Sequence, residues 1–196
     1  LGFSTLLILI SAVVCTLIFG IVLAKALGLS KRFGALTGGS VAICGASAAM
    51  AISAVLPNSK TKEQDTLLTV IGVTSLSTVA MILYPIVANT LGFSALEASI
   101  FLGGTIHDVA QVVGAGYSMS TETGDLSTLV KLVRVSFLMP VVFMIMLAIK
   151  HAIPSQNPQQ QAAKFPGFLM VFILLMVINS VIELPSLLID ASTDIS

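Results

Sequence analysis

The chain has 196 residues, 56% hydrophobic and 9% charged, with 9 Lys+Arg against 9 Asp+Glu. Soluble domains carry about 25% charged residues, so a core of this size cannot hide so much apolar surface, and lipid is the expected solvent. The even charge balance excludes the basic face that a nucleic-acid partner needs, and Cys15 and Cys44, each inside an apolar run, exclude a disulfide framework or a cysteine-built metal site.

Six apolar segments follow one another, each long enough to cross a bilayer as a helix. The first covers residues 3–24 and ends at Lys25. The chain opens inside it without a basic leader, and the run exceeds a signal-peptide core. We therefore read the sequence as an internal piece of a longer membrane protein: a single transmembrane domain over 1–196, with helices missing at both ends. The second segment, 33–56, stops at Pro57-Asn58, and a polar turn over 57–65 leads into the third, 66–88. Tyr84-Pro85 is expected to kink or end that third helix. The fourth segment, 96–119, has Glu97 at its start, where a carboxylate suits the helix dipole. The fifth covers 129–149, a Gln-rich connector follows over 152–161, and the sixth covers 166–189. Backbone groups in lipid must satisfy one another within the segment, so an all-α, polytopic membrane fold is expected. With six crossings, Lys25, Lys31, Arg32, Lys150 and Lys164 share one face, and Lys60, Lys62, Lys131 and Arg134 the other. The positive-inside rule weakly favours the first face as cytoplasmic.

Segments two and four differ from the rest. Segment two carries Gly38-Gly39-Ser40, then Gly45 and Ser47; segment four carries Gly103-Gly104-Thr105, then His107, Asp108 and Gln111. Two adjacent glycines weaken a helix by roughly 1 kcal/mol each relative to Ala. Matched Gly-interrupted segments point to discontinuous helices, whose freed N–H groups hold anions and whose freed carbonyls hold cations. The competing reading is close helix packing, which small residues at four-residue spacing, such as Gly45 and Ala49, also permit.

The His107-Asp108-Gln111 group lies in the middle of segment four. A charge at that depth costs about 3 kcal/mol on insertion scales, so such residues usually mark a site or a water-filled path. On a continuous helix Gln111 would share a face with His107 and neighbour Asp108. The pair could relay protons, hold a coupling cation, orient a substrate, or simply tie helices together. Lys131 and Arg134, three apart, either snorkel to the interface or turn inward to neutralise Asp108 or an anionic substrate. Asn179 and Glu183 share a face in segment six. A hydrolytic set can be written from Ser47, His107 and Asp108, but adjacent residues project about 100° apart on a helix, which is poor geometry for a triad. No HExxH motif occurs. We expect neither an enzyme nor a bound cofactor or metal.

The run from Gly39 through Ile43-Cys44-Gly45 to Ser47-Ala48 resembles the Gly-x-x-Ile-Cys-Gly-x-Ser-Ala signature of the YeiH-type family, labelled sulfate exporters. The run from Gly104 through His107-Asp108-Val109-Ala110-Gln111-Val112 resembles that family's second signature, a His and an acid followed by Val-Ala-Gln-Val. Lys131-Leu132-Val133-Arg134, with Pro140 beyond it, is similar to its Lys-x-x-Arg stretch, and Tyr84-Pro85 also fits. The resemblance covers essentially the whole chain. It implies a multi-pass protein of the bacterial inner membrane with roughly ten helices in full.

Taken together, we expect a secondary transporter exporting a small anion such as sulfate or a sulfonate. Gly38, Gly39, Ser40, Gly45, Ser47, Gly103, Gly104, Thr105, Gln111, Lys131 and Arg134 would form the substrate site, and His107 and Asp108 would couple a proton or cation. The partners are a small anionic solute and the lipid bilayer, with homo-oligomerisation open. The alternatives are a membrane scaffold whose polar cluster only packs helices, and an intramembrane hydrolase.

Overall fold

The computed structural model describes residues 2–152 and Val171. The chain divides into two compact units, Leu1–Ala163 and Lys164–Ser196, and the helices below all lie in the first. They are α1 (Phe3–Ala26), α2 (Lys31–Ala42), α3 (Ala46–Val55), α4 (Lys62–Thr90), α5 (Ala95–Thr105), α6 (Val109–Met119), α7 (Thr121–Ser136) and α8 (Leu138–Ala152). No strand occurs among the described residues. Among the described residues, three stretches are long and apolar enough to cross a membrane: Phe3–Ala26, Lys62–Thr90, and Thr121–Ala148, the last combining α7 with most of α8. Segment six and the Asn179–Glu183 pair lie outside the described residues.

Helix starts follow ordinary capping chemistry. Ser30 Oγ accepts from the Phe33 N–H at 3.1 Å at the start of α2, and Ser120 Oγ from the Thr123 N–H at 3.0 Å at the start of α7. Ser94 and Glu97 form a reciprocal capping box on α5. The helix of segment three continues through Pro85 to Thr90, so Tyr84-Pro85 does not end it.

Segments two and four are both discontinuous. Segment two is α2 and α3, separated at Ile43, Cys44 and Gly45; segment four is α5 and α6, separated at Ile106, His107 and Asp108. The glycine pairs, however, do not make the breaks. Gly38, Gly39, Gly103 and Gly104 all lie inside helices, where they let backbones approach. A Cβ on Gly20 of α1 would sit 2.5 Å from the Gly38 Cα. A Cβ on Gly103 would strike the Ser127 carbonyl oxygen and lie 2.8 Å from the Val130 Cβ of α7. The first break turns instead on Gly45. Its φ of +69° is a conformation that residues with a Cβ seldom adopt. The second break uses extended backbone at Ile106 and Asp108 and needs no glycine.

Segment five also begins earlier than hydropathy suggests, at Thr121 rather than residue 129. The extra turns are polar, and their polar side faces inward. Thr123, Gly124, Ser127, Val130, Lys131 and Arg134 are buried at three- and four-residue spacing, while Leu129 and Leu132 are exposed. This is an inside-out amphipathic helix, which a lipid exterior favours. It packs against both α5 and α6. Behind α5 and α6, Ala80, Leu102, Ile106, Val112 and Ala115 form an apolar cluster, supported by Met81, Tyr84, Phe101 and Met119.

The close approach of α5 and α7 leads to a direct prediction. Gly103→Val overpacks the contact and costs at least about 1–3 kcal/mol. It should lower the thermal midpoint of the full-length protein in detergent. Gly72→Ala, where an added Cβ meets nothing within 4 Å, should leave it unchanged or raise it slightly. Equal midpoints for Gly103→Val and wild type would show that the α5–α7 contact is not close.

Candidate functional site

The two helix breaks meet. A Cβ on Gly45, the N-cap of α3, would sit 3.3 Å from the His107 Cβ in the other break. Each break leaves a helix C-terminus and a helix N-terminus exposed to the interior, so four helix ends converge near one place: the C-termini of α2 and α5, and the N-termini of α3 and α6.

The C-terminal ends are held by two buried cations of α7. Lys131 Nζ donates to the Ile43 carbonyl at 2.9 Å and to the Ile106 carbonyl at 2.7 Å. Arg134 Nε donates to the Ala42 carbonyl at 2.7 Å, its Nη2 to the Val41 carbonyl at 2.8 Å, and its Nη1 to the Gly104 carbonyl. Lys131 is 0% exposed and Arg134 4%. The last carbonyls of a helix have no partner within it, and the C-terminus carries about half a negative charge. The cations answer both needs at once. They do not snorkel. They turn inward, but their donors go to backbone carbonyls, and no ion pair with Asp108 occurs among the described residues.

The N-terminal ends are arranged differently. Asp108 is the N-cap of α6, and its carboxylate accepts the Ala110 N–H at 2.8 Å. It therefore turns to its own helix start rather than to the His107 ring. The N-terminus of α3 has glycine as its N-cap and no side-chain cap. His107 precedes α6, so the helical spacing between His107 and Gln111 assumed for a continuous segment does not apply. The two residues still share one property. His107 Nδ1 and Gln111 Oε1 are buried without a hydrogen-bond partner.

The remaining hydroxyls fall into two groups. Ser40 Oγ donates to the Leu36 carbonyl and Thr105 Oγ1 to the Phe101 carbonyl, each at 2.5 Å, so both are spent within their own helices. Ser40 also contributes its carbonyl, which accepts the Gly45 N–H at 2.8 Å and closes the first break. Ser47, in the first turn of α3, is exposed.

Two residues of α4 belong to the site although segment three held no apparent candidate. Ser77 Oγ, fully buried, accepts from both the His107 N–H at 3.1 Å and the Asp108 N–H at 3.2 Å. Thr78 Oγ1 accepts from Gln111 Nε2 at 3.0 Å. The available signal was weak: adjacent hydroxyl residues in the middle of an apolar run, which more often back-bond to their own helix.

The electrostatic balance is simple. Two helix C-termini and two N-termini, each about half a charge, cancel. Lys131 and Arg134 bring two formal positive charges, and the Asp108 carboxylate one negative. Among the described residues one positive charge is left over, beside a helix N-terminus whose N-cap is glycine and two unpartnered polar atoms.

Comparison with known proteins assigns the chain to a family. A family model described as Conserved hypothetical protein 698 matches residues 1–196. The chain is 48% identical to the UPF0324 membrane protein RA0957 of Rhizobium meliloti (strain 1021), over 100% of this chain and 56% of that protein. It is 50% identical to the UPF0324 membrane protein CT0845 of Chlorobaculum tepidum, over 94% of this chain and 52% of that protein. It is 48% identical to the UPF0324 membrane protein TauZ of Paracoccus pantotrophus, over 100% and 58% respectively. The chain thus spans about half the length of the curated relatives it matches. No solved structure matches it. With every residue matched by the family model and relatives near half identity, the chain belongs to the Conserved hypothetical protein 698 family of UPF0324 membrane proteins, in keeping with its YeiH-type signatures.

Proposed function

We propose that the protein is a secondary transporter that exports a small anion, sulfate or a sulfonate in class, across the bacterial inner membrane. The observation that carries this reading is the unbalanced positive charge where the two helix breaks meet. An uncompensated charge at membrane depth costs about 3 kcal/mol or more. A mobile anion at the α3 N-terminus would compensate it, since free N–H groups and the helix dipole both favour negative charge there. The α6 N-terminus is already taken by Asp108. His107 Nδ1 and Gln111 Oε1, buried without partners, would add hydrogen bonds to such an anion or to water around it. Among the described residues Asp108 carries the only formal negative charge at the junction, so its protonation would raise the local positive charge and strengthen anion binding. That links proton binding and anion binding at one site without any covalent step.

Two tests follow. Full-length protein in proteoliposomes, with an imposed pH gradient, should carry radiolabelled sulfate or a sulfonate. His107→Ala and Asp108→Asn should reduce that flux to background while membrane insertion stays normal. Unchanged flux in both variants would sink the proposal. Loss of folding in both, with no flux in wild type, would favour a helix-packing scaffold instead.

Ser77→Ala probes the support of the same site. It leaves the buried His107 and Asp108 N–H groups without their acceptor, at about 1–3 kcal/mol. The thermal midpoint should fall by several degrees, roughly 2–4 °C per kcal/mol for a protein of this size. A midpoint identical to wild type would mean that α4 does not hold the second break.

A further inference from the structure

We propose that the junction of the α2 and α5 C-termini is a cation site built for one primary ammonium, and that the chain fills it with its own Lys131. Three observations carry this. Lys131 Nζ lies 2.9 Å from the Ile43 carbonyl oxygen and 2.7 Å from the Ile106 carbonyl oxygen, both within ordinary hydrogen-bond range. Ile43, Ile106 and Lys131 are each 0% exposed, so water does not compete for these carbonyls. The two oxygens belong to Ile43 and Ile106, the C-cap residues of α2 and α5 that open the two breaks, where intrahelical partners run out.

The chemistry of the donor set selects an ammonium over a metal ion. A hard cation such as Ca²⁺ takes six to eight oxygen ligands. Two carbonyls cannot supply that shell, and the neighbouring carbonyls of Val41, Ala42 and Gly104 are already committed to Arg134. An ammonium needs only directed N–H donation, which two carbonyls at these distances satisfy. Arg134, with its planar fork of donors, reads the three flanking carbonyls. Lys131, a compact point charge, takes the central pair.

The site therefore holds a tethered ion where discontinuous helices elsewhere hold a diffusible one. Lys131 is a positioning residue that pins two helix breaks to α7; its ammonium does not reach a substrate. This holds whether or not the protein moves an anion. Where the anion reading also holds, Na⁺ and K⁺ do not couple at this junction.

The test uses the full-length protein in detergent. Lys131→Ala removes the atoms of one n-propylammonium: three carbons and the charged nitrogen. The variant should melt roughly 10 °C below wild type, as expected when one partner of a buried charged set is removed. Added n-propylammonium should raise that midpoint in a concentration-dependent way, by binding only the folded state. Neutral n-propanol and NaCl at equal concentration should not. Equal effects of n-propylammonium and n-propanol would overturn the proposal, because the cavity would then be recognising shape rather than charge. Rescue by NaCl alone would overturn it too, because the site would then be a metal-ion site. If Lys131→Ala does not accumulate, Lys131→Met and Lys131→Arg decide. Met keeps an unbranched stem of nearly the same length without the charge and should accumulate far below wild type, while Arg, which keeps donors and charge, should accumulate more. Lys131→Met at wild-type abundance and midpoint would overturn the proposal, since the carbonyls would need no cation.

Discussion

The structure depends on two buried cations facing the ends of two interrupted helices. Every break in a membrane helix exposes carbonyls with no partner, and lipid offers none. Here Lys131 and Arg134 stand three residues apart on one helix and together engage five carbonyls from two others. Either cation alone would be an expensive buried charge, and either break alone an expensive set of unpaired acceptors. Placed together, the carbonyls gain donors and the cations gain acceptors, which lowers both costs. The same contacts bring α2, α5 and α7 to one point, and the tight α5–α7 approach at Gly103 follows from it.

The opposite ends of the breaks are held by different means. The second break is carried by α4, through the Ser77 hydroxyl that accepts two N–H groups and the Thr78 hydroxyl that meets Gln111. The first is closed by the Ser40 carbonyl and by the conformational freedom of Gly45. The carbonyl side is saturated with donors. The amide side is not: α3 has no side-chain cap, and His107 Nδ1 and Gln111 Oε1 lack partners. Burying polar atoms unpaired is costly, so the two halves of the junction differ in how fully their polar groups are satisfied.

That division gives the two groups of ionisable residues different surroundings. Every hydrogen bond of Lys131 and Arg134 goes to a backbone carbonyl. His107 and Asp108 lie in the break itself, where backbone and side chains retain unused capacity. The family assignment adds that the protein is a membrane protein. The substrate class remains the proposal argued from the electrostatics of this junction.

By itself the sequence determined the solvent, the secondary-structure class and the two segments that are interrupted, because composition, apolar run length and clustered small residues are local properties of a chain. It also identified the polar residues near the site, His107, Asp108 and Gln111, since ionisable groups in an apolar run stand out wherever they lie. It misplaced the breaks at Gly38-Gly39 and Gly103-Gly104, because a glycine that frees φ and one that admits a neighbouring helix look alike until the neighbour is known. Only the tertiary structure decided that α7 is buried by its polar face, that Ser77 holds the second break, and that Lys131 and Arg134 bond to carbonyls. Those pairings join residues 25 to 93 positions apart. Hydrogen-bond satisfaction across such separations depends on which surfaces meet in space, and no local pattern in the chain encodes it.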